Sequence, residues 1–143
     1  MNNCMNAIDA NILLYGMDTK EPAKQGKAAT LLCQLTADPQ KTTLLWQVLV
    51  ESINQLRRWE NQGHVTKTEF DAHVQYWRTL FPMTFPTIRV LDHALDLAKR
   101  YSLSHWDSLI LGACKEAGVT TLYTEDMGAP RTIDGIQLFN PLI

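Results

Sequence analysis

The stretch from Ser104 to Asp126 most constrains what this chain can fold into, because it spells a helix, a stop and a buried strand in immediate succession. Trp106, Leu109, Ile110, Ala113 and Ala117 recur at helical spacing and predict one apolar stripe. Ser104 suits the N-cap, with Asp107 three residues on in the first turn. Gly118 stops the helix, and the β-branched and aromatic run Val119 to Tyr123 predicts a strand that leads into Thr124-Glu125-Asp126. In an open α/β sheet ligands bind at the carboxyl ends of strands. Asp107 and Asp126 are therefore candidates for one shared site.

The remainder of the chain repeats the same alternation. Met5 to Asp9 is a short apolar segment closed by an acid, and Asn11 to Tyr15 begins a helix. Pro22 fits the first turn of a second helix with Ala28, Leu31, Leu32 and Leu35 inward and Lys20, Lys24 and Lys27 on its other face. Thr43 to Trp46 reads as a strand feeding a helix from Gln47 to about Asn61, with Leu49, Ile53 and Leu56 inward. Thr66-Lys67-Thr68-Glu69 has the form of a capping box ahead of the stripe Phe70, Val74, Trp77 and Leu80. Pro82 and Pro86 bracket a connection, and Thr87 to Val90 is either a short strand or the start of the next helix. That helix runs to about Tyr101, with Leu91, Leu95 and Ala98 expected inside. Met127 to Gly135 is expected to be a loop, and Ile136 to Phe139 a last strand. Strands alternating with helices predict a three-layer α/β/α fold around a central, mostly parallel sheet.

A chain of 143 residues has the size of one domain, here expected to span residues 1–143. No apolar run approaches a membrane span, and the start lacks a basic segment followed by an apolar one. Cys4, Cys33 and Cys114 are odd in number and far apart, as expected of thiols in a cytoplasmic protein. With a net charge of −2, any phosphate-binding surface must be local or built with metal ions.

The acids differ in what local structure alone explains. Asp9 closes the first strand and could serve only as an N-cap, and Asp107 could serve only the helix dipole. Asp126 could simply begin a turn. Glu51 lies off its apolar stripe, yet no Lys or Arg stands at positions 47, 48, 54 or 55 to pair with it. Asp96 is the contrast, with Lys99 and Arg100 three and four residues on. Adjacent strand residues point opposite ways, so Asp126 is taken as the inward acid and Glu125 as its alternate. Together, Asp9, Glu51, Asp107 and Asp126 fall near one edge of the predicted sheet. Gathered carboxylates repel unless a cation offsets them, and all-oxygen donors favour Mg²⁺ or Mn²⁺ over zinc. His64, His73, His93 and His105 show no zinc-ligand spacing.

At this point four stretches become informative together. Ile8-Asp9-Ala10-Asn11-Ile12-Leu13-Leu14-Tyr15, Gln47-Val48-Leu49-Val50-Glu51, Ser104-His105-Trp106-Asp107-Ser108-Leu109-Ile110 and Thr124-Glu125-Asp126 resemble, in order, the successive motifs of the PIN-domain family. The likeness is strongest to the VapC-type toxins of toxin–antitoxin pairs, and Gly135 to Pro141 resembles that group's closing strand. The resemblance implies a PIN-like fold and a metal-dependent endoribonuclease using Mg²⁺ or Mn²⁺. Asp9, Glu51, Asp107 and Asp126 would be its acidic quartet, with Asn11 and Thr124 orienting ligands from behind. Hydrolysis would leave a 5′-phosphate and a 3′-hydroxyl. The implied partners are an RNA substrate, a small antitoxin protein and a second copy of the chain. His105 and Trp46 depart from the family pattern, the first beside Asp107 and the second ahead of the glutamate motif.

Other classes fit less well. No G-x-S-x-G, P-loop or G-x-G-x-x-G occurs, and Asp9-Ala10-Asn11 lacks the Asp-x-Asp of a phosphatase with a first-strand nucleophile. Two alternatives stay open: a non-catalytic PIN-like module that binds RNA or protein, and a PIN nuclease of RNA processing without an antitoxin. Arg57-Arg58-Trp59 and the Lys20, Lys24, Lys27 face are candidate RNA contacts, or solvated helix surface.

Overall fold

Short apolar runs become strands of a common layer in the computed structural model, which describes residues 4–143. β1 (Asn6–Ile8) pairs in parallel with β4 (Thr121–Tyr123), and β4 in parallel with β6 (Ile136–Phe139). β5 (Arg131–Ile133) closes that edge antiparallel to β6. On the far side of β1, the parallel pair β2 (Leu44–Leu45) and β3 (Met83–Thr84) joins through one bridge from Asn6 to Thr42. Ala7 and Ile8 are both buried, so β1 is covered on both faces, whereas β6 alternates, with Ile136 and Leu138 buried and Gln137 and Phe139 exposed.

The layers over the sheet are helical. α1 (Ala10–Tyr15) packs against both α2 (Pro22–Thr36) and α3 (Trp46–Asn61), α3 packs against α4 (Lys67–Leu80), and α5 (Ile88–Tyr101) packs along α6 (His105–Glu116). The result is the expected α/β/α sandwich with a mostly parallel sheet. The Thr66–Glu69 capping box forms, and Ser104 caps α6 by accepting from the Asp107 amide at 3.2 Å. Among the described residues no helix is long and apolar enough to cross a membrane.

Several expectations need correction. On α5 it is Val90, Ala94 and Leu97 that are buried, whereas Leu91 and Leu95 are 40% and 55% exposed and Ala98 only partly covered. The helix is rolled because α6 approaches it at Gly112. A Cβ there would lie 2.6 Å from the Val90 carbonyl oxygen and 3.0 Å from the Ala94 nitrogen. That contact seats Val90 and Ala94 inward and turns the leucines out. On α6, Ile110 and Ala113 are buried as expected, Leu109 and Ala117 half so, and Trp106 is 64% exposed. Its first turn stands clear of the packing, and residues 110–114 are buried all round.

Strand lengths differ too. Trp46 begins α3 instead of ending β2, and Thr87 to Val90 resolves as the start of α5. Met83–Thr84 forms β3 where a bare connection was expected, and the 127–135 loop contains β5. Both strands are short and lie at the sheet margins, and of β5 only Ile133 is buried.

Candidate active site

The register of β1 against β4 opposes Ile8 and Tyr123, so the residues just beyond, Asp9 and Thr124, emerge side by side. The Asp9 amide extends the ladder by donating to the Tyr123 carbonyl at 2.8 Å. The Asp9 side chain does cap α1, its Oδ1 accepting from the Ala10 amide at 2.7 Å. Its Oδ2 accepts from the Thr124 hydroxyl at 2.8 Å. Capping and membership of a site are thus not exclusive.

Asp9 is only 9% exposed, and no ion pair reaches it among the described residues. Burial pushes its pKa up to about 6, the Thr124 and Ala10 hydrogen bonds oppose this, and the charges of Glu51 and Asp126 push the same way as burial. Those two acids, one on α3 and one three residues past β4, thus stand near enough for their charges to act on Asp9.

Thr124 is the hub. Fully buried, it donates to Asp9 while its hydroxyl accepts from the Asp126 amide at 3.0 Å. Asp126 in turn accepts at Oδ2 from Asn11 Nδ2 at 3.0 Å. The other end of that amide, Asn11 Oδ1, is buried and has no hydrogen-bond partner among the described residues. Glu125 points the other way. It accepts from the Tyr15 hydroxyl at 2.9 Å and pairs with Lys24 at 3.3 Å, and Lys24 also donates to Tyr15 at 3.2 Å. Both lie past the end of β4, where the chain bends at Glu125 and the Asp126 amide bonds back to Thr124, so the neighbours part, leaving Asp126 beside Asn11 and Thr124 and Glu125 neutralised.

Asp107 arrives by a different route. It follows a helix, α5, so it does not lie at a strand–helix junction. Gln47 ties its turn to Glu51: Nε2 donates to Glu51 Oε1 at 2.9 Å and to the Trp106 carbonyl at 3.2 Å. Nothing in the sequence singled out Gln47, or the Tyr15–Lys24 pair that holds Glu125. An amide one turn before a lone glutamate was the available signal for the first.

The four acids do not close into a cage. Among the described residues, no three His, Cys, Asp or Glu side chains come close enough to hold a metal ion jointly. The donor chemistry nevertheless suits a hard divalent cation: the acids are all oxygen donors that have no cationic partner among the described residues, and Asn11 Oδ1 is a buried acceptor that none of them engages.

The remaining candidates are engaged elsewhere. His105 packs edge-on to Trp106 at 4.7 Å, and Trp46 lies 5.5 Å from Phe85. His93 meets Glu116, and His73 stacks on Trp77. Lys20 contacts His64, and Lys27 donates to the Leu142 carbonyl. Arg57 pairs with Glu60 and lies 4.0 Å from the Phe70 ring centre.

No protein-family model matches the sequence, and no curated protein matches it. Solved structures match nearly its whole length. VapBC2 from Rickettsia felis, bound to a DNA fragment from its promoter, is 16% identical over 95% of this chain and 98% of that one, with a TM-score of 0.71. FitAcB from Neisseria gonorrhoeae is 16% identical over 96% and 98%, with a TM-score of 0.70. VapC20 of Mycobacterium tuberculosis, a sarcin–ricin-loop-cleaving toxin, is 16% identical over 92% and 98%, with a TM-score of 0.65. Identities at this level speak to the fold.

Proposed function

We propose, from the PIN-like fold that this chain shares with VapC-type toxins, that it is a metal-dependent endoribonuclease and the toxin of a toxin–antitoxin pair. One observation carries the reading. Asp9 is a buried carboxylate with no cationic partner among the described residues, and it faces the charges of two further acids. Leaving such a group uncompensated is costly, and a divalent cation is the compensation its surroundings favour.

Asp9, Glu51, Asp107 and Asp126 would hold Mg²⁺ or Mn²⁺. When bound, such an ion offsets the acids' repulsion, favours deprotonation of water at neutral pH and stabilises the charge of a phosphodiester under attack. The chain's own residues do the positioning. Asp9 is fixed by two hydrogen bonds, Thr124 links it to the Asp126 backbone, Asn11 orients the Asp126 carboxylate, and Gln47 orients Glu51. Glu125 is kept out by Tyr15 and Lys24. The products of hydrolysis would be a 5′-phosphate and a 3′-hydroxyl.

An antitoxin protein and a second copy of the chain complete the reading. Several solved structures of this fold are named as toxin–antitoxin complexes or VapBC pairs. For the second copy, Ile88, Leu91 and Leu95 form an exposed apolar stripe on α5.

The test is cleavage of a mixed RNA pool with Mg²⁺ or Mn²⁺, beside EDTA and an Asp107→Asn control. Cleavage that survives both would sink the mechanism. The spacing of the acids favours one other reading, a non-catalytic module that binds RNA or protein. Intact metal binding without cleavage would favour it.

A further inference from the structure

One face of α3 lies open beside the acids. Trp46, Gln47, Val50, Glu51 and Asn54 fall at steps of one, three and four residues, so they share that face. Opposite stands the first turn of α6, and Gln47, Val50, Glu51, Asn54 and Trp106 line a cleft of about 370 Å³. Trp106 is 64% exposed there and contributes little to the core. Its backbone is nevertheless pinned, since Gln47 donates to its carbonyl and to Glu51 at once. A large flat ring is thus held in water one residue before Asp107, in a cleft that Glu51 also lines.

We infer that this cleft receives one unstacked nucleobase of a single-stranded RNA, laid against the Trp106 indole beside the phosphate on which the acids would act. The inference rests on the nuclease reading above and names how its substrate is chosen. An indole face accepts any base, the Asn54 amide offers a donor and an acceptor to a base edge, and Gln47, whose two Nε2 hydrogens are committed to Glu51 and Trp106, offers its Oε1 as an acceptor. The cleft lies at the lower end of the roughly 300–1,000 Å³ that ligand sites span, which suits one nucleotide better than a protein segment. The chain's net charge is −2; Lys24 and Arg57 are paired with acids and Lys27 with a backbone carbonyl, while Arg58, Lys67, Arg78 and Lys99 have no ion-pair partner among the described residues and are left for phosphate contacts. Stacking on the indole adds to what such charges contribute, and it distinguishes strands: a duplex, whose bases are already stacked, offers the ring nothing.

The test is fluorescence anisotropy on full-length Asp9→Asn protein in Mg²⁺, with a labelled oligouridylate probed alone and paired with oligoadenylate. The single strand is expected to bind at least about tenfold more tightly than the duplex. Trp106→Ala should weaken single-strand binding about tenfold or more, and Trp106→Phe should largely restore it. Tyr76→Ala, which removes an exposed aromatic ring on α4, should change nothing. Equal binding by the Trp106→Ala protein overturns the cleft, and metal-dependent cleavage by the wild type would show that the nuclease reading survives. No binding and no wild-type cleavage removes both. A Trp106→Ala protein that changes its sedimenting mass assigns the ring to a protein interface and also overturns the inference. Matching circular-dichroism melts would show that the variants fold.

Discussion

The hydroxyl of Thr124 donates to Oδ2 of Asp9 at 2.8 Å across 115 positions of sequence, and the same oxygen accepts from the Asp126 amide. One buried side chain thus fixes two of the proposed ligands. Thr124→Val keeps the shape and removes both bonds. It should cost about 1–3 kcal/mol in urea unfolding, because a carboxylate oxygen and an amide lose their partners. Cleavage should fall at least about tenfold as Asp9 loses its orientation.

Asp9→Asn should abolish cleavage of an RNA pool in Mg²⁺ while the fold persists. In EDTA its melting temperature should equal or exceed that of the wild type, since a buried charge facing Glu51 and Asp126 is gone. A large drop measured by differential scanning fluorimetry would show that the carboxylate serves chiefly to cap α1.

Asp134 gives a pH signature away from the site. Arg100 and Lys115 donate to it and hold its pKa down at about 2, below its ordinary 3.8. A depressed carboxylate stabilises the fold above the unfolded-state value, and that contribution is lost as pH falls from 3.8 toward about 2. Asp134 also has a left-handed φ of 50°, which asparagine tolerates, so Asp134→Asn isolates the charge. Its urea midpoint should lie below that of the wild type at pH 7, and the two should converge near pH 2.

Gly112→Ala should destabilise the fold by about 1–3 kcal/mol, because the added methyl meets the Val90 carbonyl oxygen at 2.6 Å. Thermal melts would show it. A neutral result would mean that α5 and α6 can separate freely, against the packing that rolls Leu91 outward.

If the exposed α5 stripe meets a second copy, Leu95→Glu should weaken dimerisation by at least about tenfold without lowering the melting temperature of the monomer. Analytical ultracentrifugation of wild type and variant decides it. A wild type that stays monomeric at high concentration would remove the homodimer from the proposal.

The acids and the caps were legible because they are local. Ser104, Gly118 and the Thr66–Glu69 box act within one turn of themselves, and their structures follow directly. The separation of Asp126 from Glu125 was expected from strand alternation, yet β4 ends at Tyr123 and it is the bend after it, with the Asp126 amide on Thr124, that parts them. The stripe of α5 was misread for the opposite reason. Val90, Leu91, Ala94, Leu95 and Leu97 offer more than one apolar face, and the approach at Gly112 chooses between them. β3 and β5 were missed because strands of two or three residues exist only through their neighbours.

The sequence by itself determined the alternation of helix and strand, hence the layered parallel sheet, and put acids at the ends of β1 and β4 and in the first turn of α6. Periodicity and caps are short-range, so they survive without coordinates. Only the tertiary structure decided that Thr124 joins Asp9 to Asp126, that Gln47 bridges Glu51 to Trp106, and that Lys24 and Tyr15 remove Glu125 from the group. Each of these contacts joins residues brought together by strand register or helix packing, and no local pattern encodes the distance between two side chains on different elements.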